Sequence, residues 1–446
     1  MLKNLLTQIR SKQDQLTDLI LVMTEGLWFR PLCWLVVSCA LAFTLIAVEW
    51  NIADGSSSTW YILWESQPDG AQTMLGAIAG AILTVVSLAF SLMMVVVIQT
   101  ANAYSPRLLQ QFIADHHNHH VLGFMMGQFA YALVVLRSIQ KSPEFVPHIA
   151  INVALLMSLF SIIALISFIH NVARSIQVSH IINLIEEQTQ QLLKTSAQMY
   201  PGHNFHGEFE LTNPVQFCAQ ESGYIRIIEH QTLRDILEHE QDVVVEFHRF
   251  IGDYVIKGSC IATVWRRDRR AEQDMAIDAL KGGVNISHSR SWSADIKFGF
   301  EQLTDISLKA LSPGINDPTT AMMAIRSLSK LYQLWCEASE EGYQRANEQG
   351  ELRIIFPEHR LENMLLSTVW QIAHYGREDH LVMVELISTL GEVHRQLENK
   401  PHFKSILEET LKELTAQDVG ETTWSARQKY NFTRRAHALE LMHLKH

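Results

Sequence analysis

AQTMLGAIAGAILTVVSLAFSLMMVVVIQT, residues 71–100, carries no charged side chain. A helix needs about 20 apolar residues to cross the hydrocarbon core of a bilayer, so this stretch is long enough to span with tilt or overhang. It is not uniformly apolar. Thr73, Gly76, Gly80, Thr84, Ser87 and Ser91 recur at steps of three and four and share one helical face, while Leu, Ile, Val, Phe and Met fill the others. A small and polar stripe on a membrane helix faces another helix, a second copy of itself, or a water-filled path. Gly76-Ala-Ile-Ala-Gly80 has the spacing that lets membrane helices approach closely, which is the packing alternative. Thr84, Ser87 and Ser91, continued by Gln99 and Asn102, are the pathway alternative.

Reading outward, residues 32–48, 121–139 and 148–169 are further apolar runs, so residues 27–170 form a domain of four transmembrane helices. Residues 1–26 alternate Leu and Ile with Lys, Gln and Asp, as an amphipathic helix at the membrane surface does. Lys3, Arg10, Lys12 and Arg30 precede the first span, whereas the loop 51–70 has no Lys or Arg. By the positive-inside rule the N-terminus is cytoplasmic, and four spans return the chain there; Arg137 and Lys141 on the outer side run against this bias. Trp50, Trp60, Tyr61 and Trp64 supply an aromatic belt. After the second span, Ser105 and Pro106 restart a helix as N-cap and first helical residue, and with Arg107 they form the junction expected to couple the membrane part to the rest. His116-His-Asn-His-His120 reads as a solvated loop, with divalent metal binding as its functional alternative.

The remainder is polar. Residues 171–200 read as a helical linker continuing the fourth span, 201–265 as a small β-barrel or sandwich, and 266–446 as a helical domain, giving a C-terminal cytoplasmic α+β region. Within it, Ala310-Leu-Ser-Pro-Gly-Ile-Asn-Asp-Pro-Thr-Thr-Ala321 is the sharpest local signal. Asn316-Asp317-Pro318 is a turn leading into a helix that Asp317 caps. The loop is either a rigid corner or a ligand site built from Asn316, Asp317, Thr319 and Thr320 with Arg290, Asp295 and Asp305. A helix N-terminus favours an anion and several carboxylates favour a cation, so no ligand is named.

The formal charge of -11, without a basic stripe, argues against a nucleic-acid partner. The five Cys form no CxxC pair and no metal-ligand spacing, which suits thiols in a reducing compartment. No phosphate-binding, nucleophile-elbow, zinc-protease or dinucleotide motif occurs, so neither an enzyme nor a cofactor is expected.

Phe90-Ser91, Ser105-Pro-Arg-Leu-Leu109, Leu122-Gly123, Phe168-Ile-His170, Ser222-Gly-Tyr224, Gly252-Asp253 and above all Asp305-Ile306 leading into Ala310–Ala321 carry a resemblance. In these stretches the chain resembles the bacterial predicted membrane protein family called domain of unknown function 2254. The family pattern has Arg-Thr where this chain has Arg290-Ser291, and two His where it has His170-Asn171. The resemblance implies a polytopic protein of the bacterial inner membrane and no particular activity. The expectation is an oligomeric channel or pore-like permeation protein in the lipid bilayer, with a cytoplasmic regulatory domain. The alternative is a membrane-anchored scaffold or sensor without a pathway.

Overall fold

The computed structural model describes residues 29–53, 67–103, 116–141, 144–199, 203–204, 212–239, 243–266, 273–291, 294–338, 344–347, 350–356, 361–397, 400–416 and 424–443. The surface helix expected over 1–26, the belt residues Trp60, Tyr61 and Trp64, and the Ser105-Pro106-Arg107 junction lie outside them. The chain divides into two compact units, Met1–Gln177 and Val178–His446.

The first unit contains α1 (Phe29–Ala53), α2 (Pro68–Ala103), α3 (His116–Ser138) and α4 (His148–Ser175). All four are long and apolar enough to cross a membrane. A two-residue antiparallel hairpin, β1 (Gln140–Lys141) and β2 (Glu144–Phe145), lies between α3 and α4. The interior helix is α3. Half of its apolar window is buried, against 22% or less in the other three. Enclosure by neighbours is what lets it carry Asn118, His119 and Gln128, side chains that are costly against lipid. His116–His120 therefore belongs to the first turns of α3, with Asn118 and His119 buried, and is not the solvated loop its composition suggests.

Two glycines set the α1–α3 contact. A Cβ on Gly123 would lie 2.9 Å from Pro31 Cα, and one on Gly127 would lie 2.9 Å from the Trp34 carbonyl oxygen. The close approach that small residues permit thus occurs at Gly123-Phe-Met-Met-Gly127. At Gly76 and Gly80 nothing from the described residues comes within 4 Å of a Cβ position. The opposite face of α2 makes the core. Ala71, Leu75 and Ala79 pack with Tyr131, Val135 and Ala150, and Ala89, Met93 and Val96 pack with Leu122, Met125 and Phe168.

The fourth span does not run on into the linker helix. α4 ends at Ser175, the Gln177 N–H bonds back to the Arg174 carbonyl (3.0 Å), and α5 (Val178–Met199) opens the second unit. Then follow β3 (His203–Asn204), β4 (Thr212–Cys218), β5 (Gly223–Ile228), α6 (His230–His239), β6 (Val243–Phe247), β7 (Tyr254–Val255), β8 (Cys260–Arg266), α7 (Gln273–Gly283) and β9 (Val284–Ser287). The chain continues with α8 (Ile296–Ala310), α9 (Pro318–Ala338), β10 (Gln344–Ala346), β11 (Leu352–Ile355), α10 (Leu361–Ser367), α11 (Val369–Gly376), α12 (His380–Gln396), α13 (Pro401–Ala416) and α14 (Ala426–His443).

The strands do not close into a barrel. They form a six-stranded sheet in the order β3-β10-β11-β6-β8-β4 and a three-stranded sheet β7-β5-β9. The larger sheet is antiparallel except where β11 runs parallel to β6, with Ile354 beside Val245. The expected self-contained β domain at 201–265 is therefore corrected: β9, β10 and β11 enter from beyond residue 265. The polar stretch 341–350 reads as a linker yet supplies β10, because a short strand with polar side chains shows no alternation. The six-stranded sheet keeps two edges, β3 and β4. Val243, Val245, Phe247, Val264 and Ile354 are buried on it and packed by Leu233 and Ile236 of α6 and Leu280 of α7.

The helical part of this unit is centred on α8 and α9, whose Phe300 meets Tyr332 and Trp335 at ring centroid distances of 5.1 and 5.3 Å. Glu186 of α5 takes Ser327 Oγ (2.7 Å) and Lys330 of α9. α10 and α11 are separated at Thr368, whose hydroxyl turns back to the Met364 carbonyl (2.7 Å) and meets the buried Tyr332 hydroxyl.

Candidate functional site

On α2, Thr73, Gly76, Gly80, Thr84, Ser87, Ser91 and Gln99 are all exposed in the single chain, and the Asn102 backbone belongs to the last turn of the helix. The stripe therefore faces no helix of its own chain among the described residues. Its hydroxyls are internally satisfied. Thr73 donates to the Asp69 carbonyl, Thr84 to Gly80, Ser87 to Leu83 and Ser91 to Ser87, at 2.8–3.0 Å. Back-bonding of this kind lets a hydroxyl sit on an apolar surface and still offer its oxygen as an acceptor.

A second polar feature, absent from the sequence reading, runs along the α3–α4 interface. His117 Nε2 is 2.9 Å from Ser167 Oγ, Asn171 Nδ2 donates to Asn118 Oδ1 (3.0 Å), and Tyr131 OH donates to the Ala150 carbonyl (2.9 Å). Between them the fully buried Gln128 amide bridges the hydroxyls of Ser158 (2.8 Å) and Ser161. On the α1 side, Trp34 Nε1 donates to His120 Nδ1 (3.1 Å), and Glu49 accepts the Ile149 N–H at the start of α4. Apart from the second Glu49 oxygen, which is buried without a hydrogen-bond partner among the described residues, these groups satisfy one another across helices, which fixes the register of the bundle. The available signal was the spacing itself: His117, Gln128 and Tyr131 share a helical face within an otherwise apolar span.

In the second unit the structure separates the expected ligand set. Arg290 Nε donates to Asp295 Oδ2 (2.7 Å), and its Nη1 reaches Glu301 Oε2 (2.5 Å). Its guanidinium lies 5.0 Å from the Phe298 ring centre. Asp295 caps α8 by accepting the Phe298 N–H (3.2 Å). Gly252, at φ +90°, lies so close that a Cβ would fall inside the Asp295 carboxylate. Burial pushes the Asp295 carboxyl up to about 6, against the pull of Arg290. Burial also works against the Arg290 charge, but Asp295 and Glu301 outweigh it and hold its pKa above the ordinary range. The two partners differ because Asp295 is almost fully enclosed (1% exposed) and Arg290 less so (13%).

Asn316, Asp317, Thr319 and Thr320 lie at the other end of α8. A helix of that length spans about 22 Å, so no small ligand touches both groups. Asp305 sits half-buried within α8, between them. Asp317 accepts the Thr320 hydroxyl (2.6 Å) and N–H (3.1 Å), and its own N–H bonds to the Ala310 carbonyl (2.8 Å). The Thr320 hydroxyl holds the Asp317 carboxyl below the usual range, helped by the N–H groups of Thr320 and Thr319. Asn316 takes the left-handed conformation (φ +49°) that closes the turn, and Thr319 is exposed. This geometry is that of a capped helix–loop–helix corner. No group of three or more His, Cys, Asp or Glu side chains is placed to hold a metal among the described residues.

The sequence profile described as Predicted membrane protein (DUF2254) matches residues 24–392. An uncharacterized protein of Mycobacterium bovis and one of Mycobacterium tuberculosis are each 28% identical over 344 residues, covering 74% of this chain. The match spans 65% of the length of these relatives. No solved structure matches the chain. With four helices fit to cross a membrane and a profile that reaches from α1 into α12, the chain belongs to the DUF2254 family of predicted membrane proteins.

Proposed function

We propose that this membrane protein self-associates through the outer face of α2, and that its copies enclose a permeation path lined by Thr84, Ser87 and Ser91. Gln99 and Asn102 sit toward the cytoplasmic mouth. Both termini are cytoplasmic in the bacterial inner membrane, and the second unit regulates the path from that side. One observation carries the reading: the small and polar stripe of α2 points away from its own chain, with open space at Gly76 and Gly80. Lipid offers such a face nothing that a second helix or water would not offer better. No catalytic step is part of this reading.

The back-bonded hydroxyls support a second reading, in which the same face packs copy against copy without water and the protein is a scaffold or sensor. Ion flux through liposomes holding the purified full-length protein separates the two. The permeation reading expects conductance that falls at least about tenfold in Ser87→Leu and Ser91→Leu, since a hydrophobic constriction gates by dewetting. Absence of flux at any voltage, tension or pH leaves the scaffold reading.

A further inference from the structure

We infer that the end of the first unit carrying the β1–β2 hairpin holds a binding site for one anionic phospholipid. The glycines that bring α1 and α3 together are confined to one end of the pair, at Pro31, Trp34 and Ser38. Toward the other end Ala42 is the small buried residue of α1, and beyond it larger side chains flank the groove between the helices. There a cavity of about 450 Å³ opens between Phe43, Ile46 and Trp50 of α1, Leu133 and Val134 of α3, and Phe145 of β2. The hairpin closes one side through Trp50 and Phe145, whose ring centres are 4.8 Å apart. The slot opens outward, since Phe43 is 63% and Leu133 43% exposed.

Chemistry selects the occupant. The walls are aliphatic and aromatic, and they lie where α1 and α3 end as membrane spans, at Asn51 and Ser138. At the polar end stands Arg137, which is exposed and pairs with no carboxylate among the described residues, beside Ser138 and Gln140. An apolar slot at acyl-chain depth ending in a guanidinium fits a phosphate joined to a hydrocarbon tail. A zwitterionic lipid brings its own cation to the same place, so a net negative headgroup is favoured. The site does not depend on the permeation reading: a non-conducting scaffold would carry it equally, and failure of either leaves the other standing.

The test is native mass spectrometry of the full-length protein in detergent, titrated in parallel with phosphatidylglycerol, phosphatidylcholine and inorganic phosphate. The wild type is expected to retain phosphatidylglycerol about fivefold better than phosphatidylcholine, the ratio that one basic residue near an anionic headgroup supplies. Arg137→Gln, an exposed change that leaves the core intact, should bring the two lipids level, and Arg137→Lys should keep the preference. Leu133→Trp, filling the slot from its open side, should lower retention of both. Equal retention of the two lipids by the wild type would overturn the site, as would a preference surviving in Arg137→Gln. Binding of inorganic phosphate as strong as that of phosphatidylglycerol would show an ion site without a lipid slot, and would also overturn it.

Discussion

Arg290, Asp295 and Gly252 show how one residue's environment decides its role. Asp295 is an ordinary helix cap by position, but the Gly252 turn on one side and the start of α8 on the other remove its water. Its carboxyl titrates near 6 in the fold, above the usual carboxylate range, because burial outweighs the guanidinium. The folded chain thus binds this proton at a higher pH than the unfolded chain. The contribution of Asp295 to stability is full below about pH 4 and is lost as pH rises through about 6. Asp295→Asn keeps the cap, since Asn accepts the same N–H, but cannot titrate. Urea unfolding of the full chain between pH 4 and 7 should show a pH slope in the wild type that Asn flattens, a difference accumulating to about 2–3 kcal/mol. Parallel slopes would mean that Asp295 titrates normally. Asp317 makes the contrast. Its capping role is legible from the sequence because the partners of its carboxylate lie within three positions, at Thr319 and Thr320. The ion pair and cap of Asp295 are local too, at Arg290 and Phe298; what no local pattern announces is the Gly252 turn, distant in the chain, that encloses its carboxylate.

At the scale of elements, two glycine pairs with the same spacing have opposite environments. Gly127 lies against the Trp34 carbonyl and Ser38, so Gly127→Ala should lower the stability of a single chain by about 1–3 kcal/mol through overpacking. Gly76→Ala and Gly80→Ala meet only open space, and within one chain they should gain up to about 1 kcal/mol of helix propensity. Their effect should instead appear as weaker self-association, read by cross-linking in proteoliposomes. Undiminished cross-linking would remove α2 from the interface. Spacing in the sequence cannot tell these pairs apart, because it reports which residues share a face and not which face is covered. The same limit explains the strands. Val243–Phe247 is legible as β from its branched run, whereas β10 has only Gln344, Arg345 and Ala346, and owes its conformation to pairing with β11 and β3. The four spans were the easiest to read, since an apolar run of that length has few other uses.

For the whole molecule, the two units differ in what their surfaces require. Val36, Phe43, Leu88, Val95, Phe160 and Ile166 of the first unit are each more than half exposed, as lipid-facing side chains are. In the second unit, comparably exposed large side chains are fewer among the described residues, with Tyr254 and Ile256 at β7, Leu366 on α10, Tyr375 on α11, Leu381 on α12 and Tyr430 on α14. That unit also has its own sheet core and its own helical core, so residues 178–446 should fold in water without the spans. Circular dichroism and a cooperative thermal transition would check this. The oligomeric state of that fragment then bears on function. If α2 carries self-association, the fragment should be monomeric by light scattering while the full chain in detergent is a multimer that Gly80→Leu reduces. A fragment that assembles to the same stoichiometry as the full chain would move the interface into the second unit. The α2 faces would then have no need to meet at an axis, and the scaffold reading would become the better account of the chain.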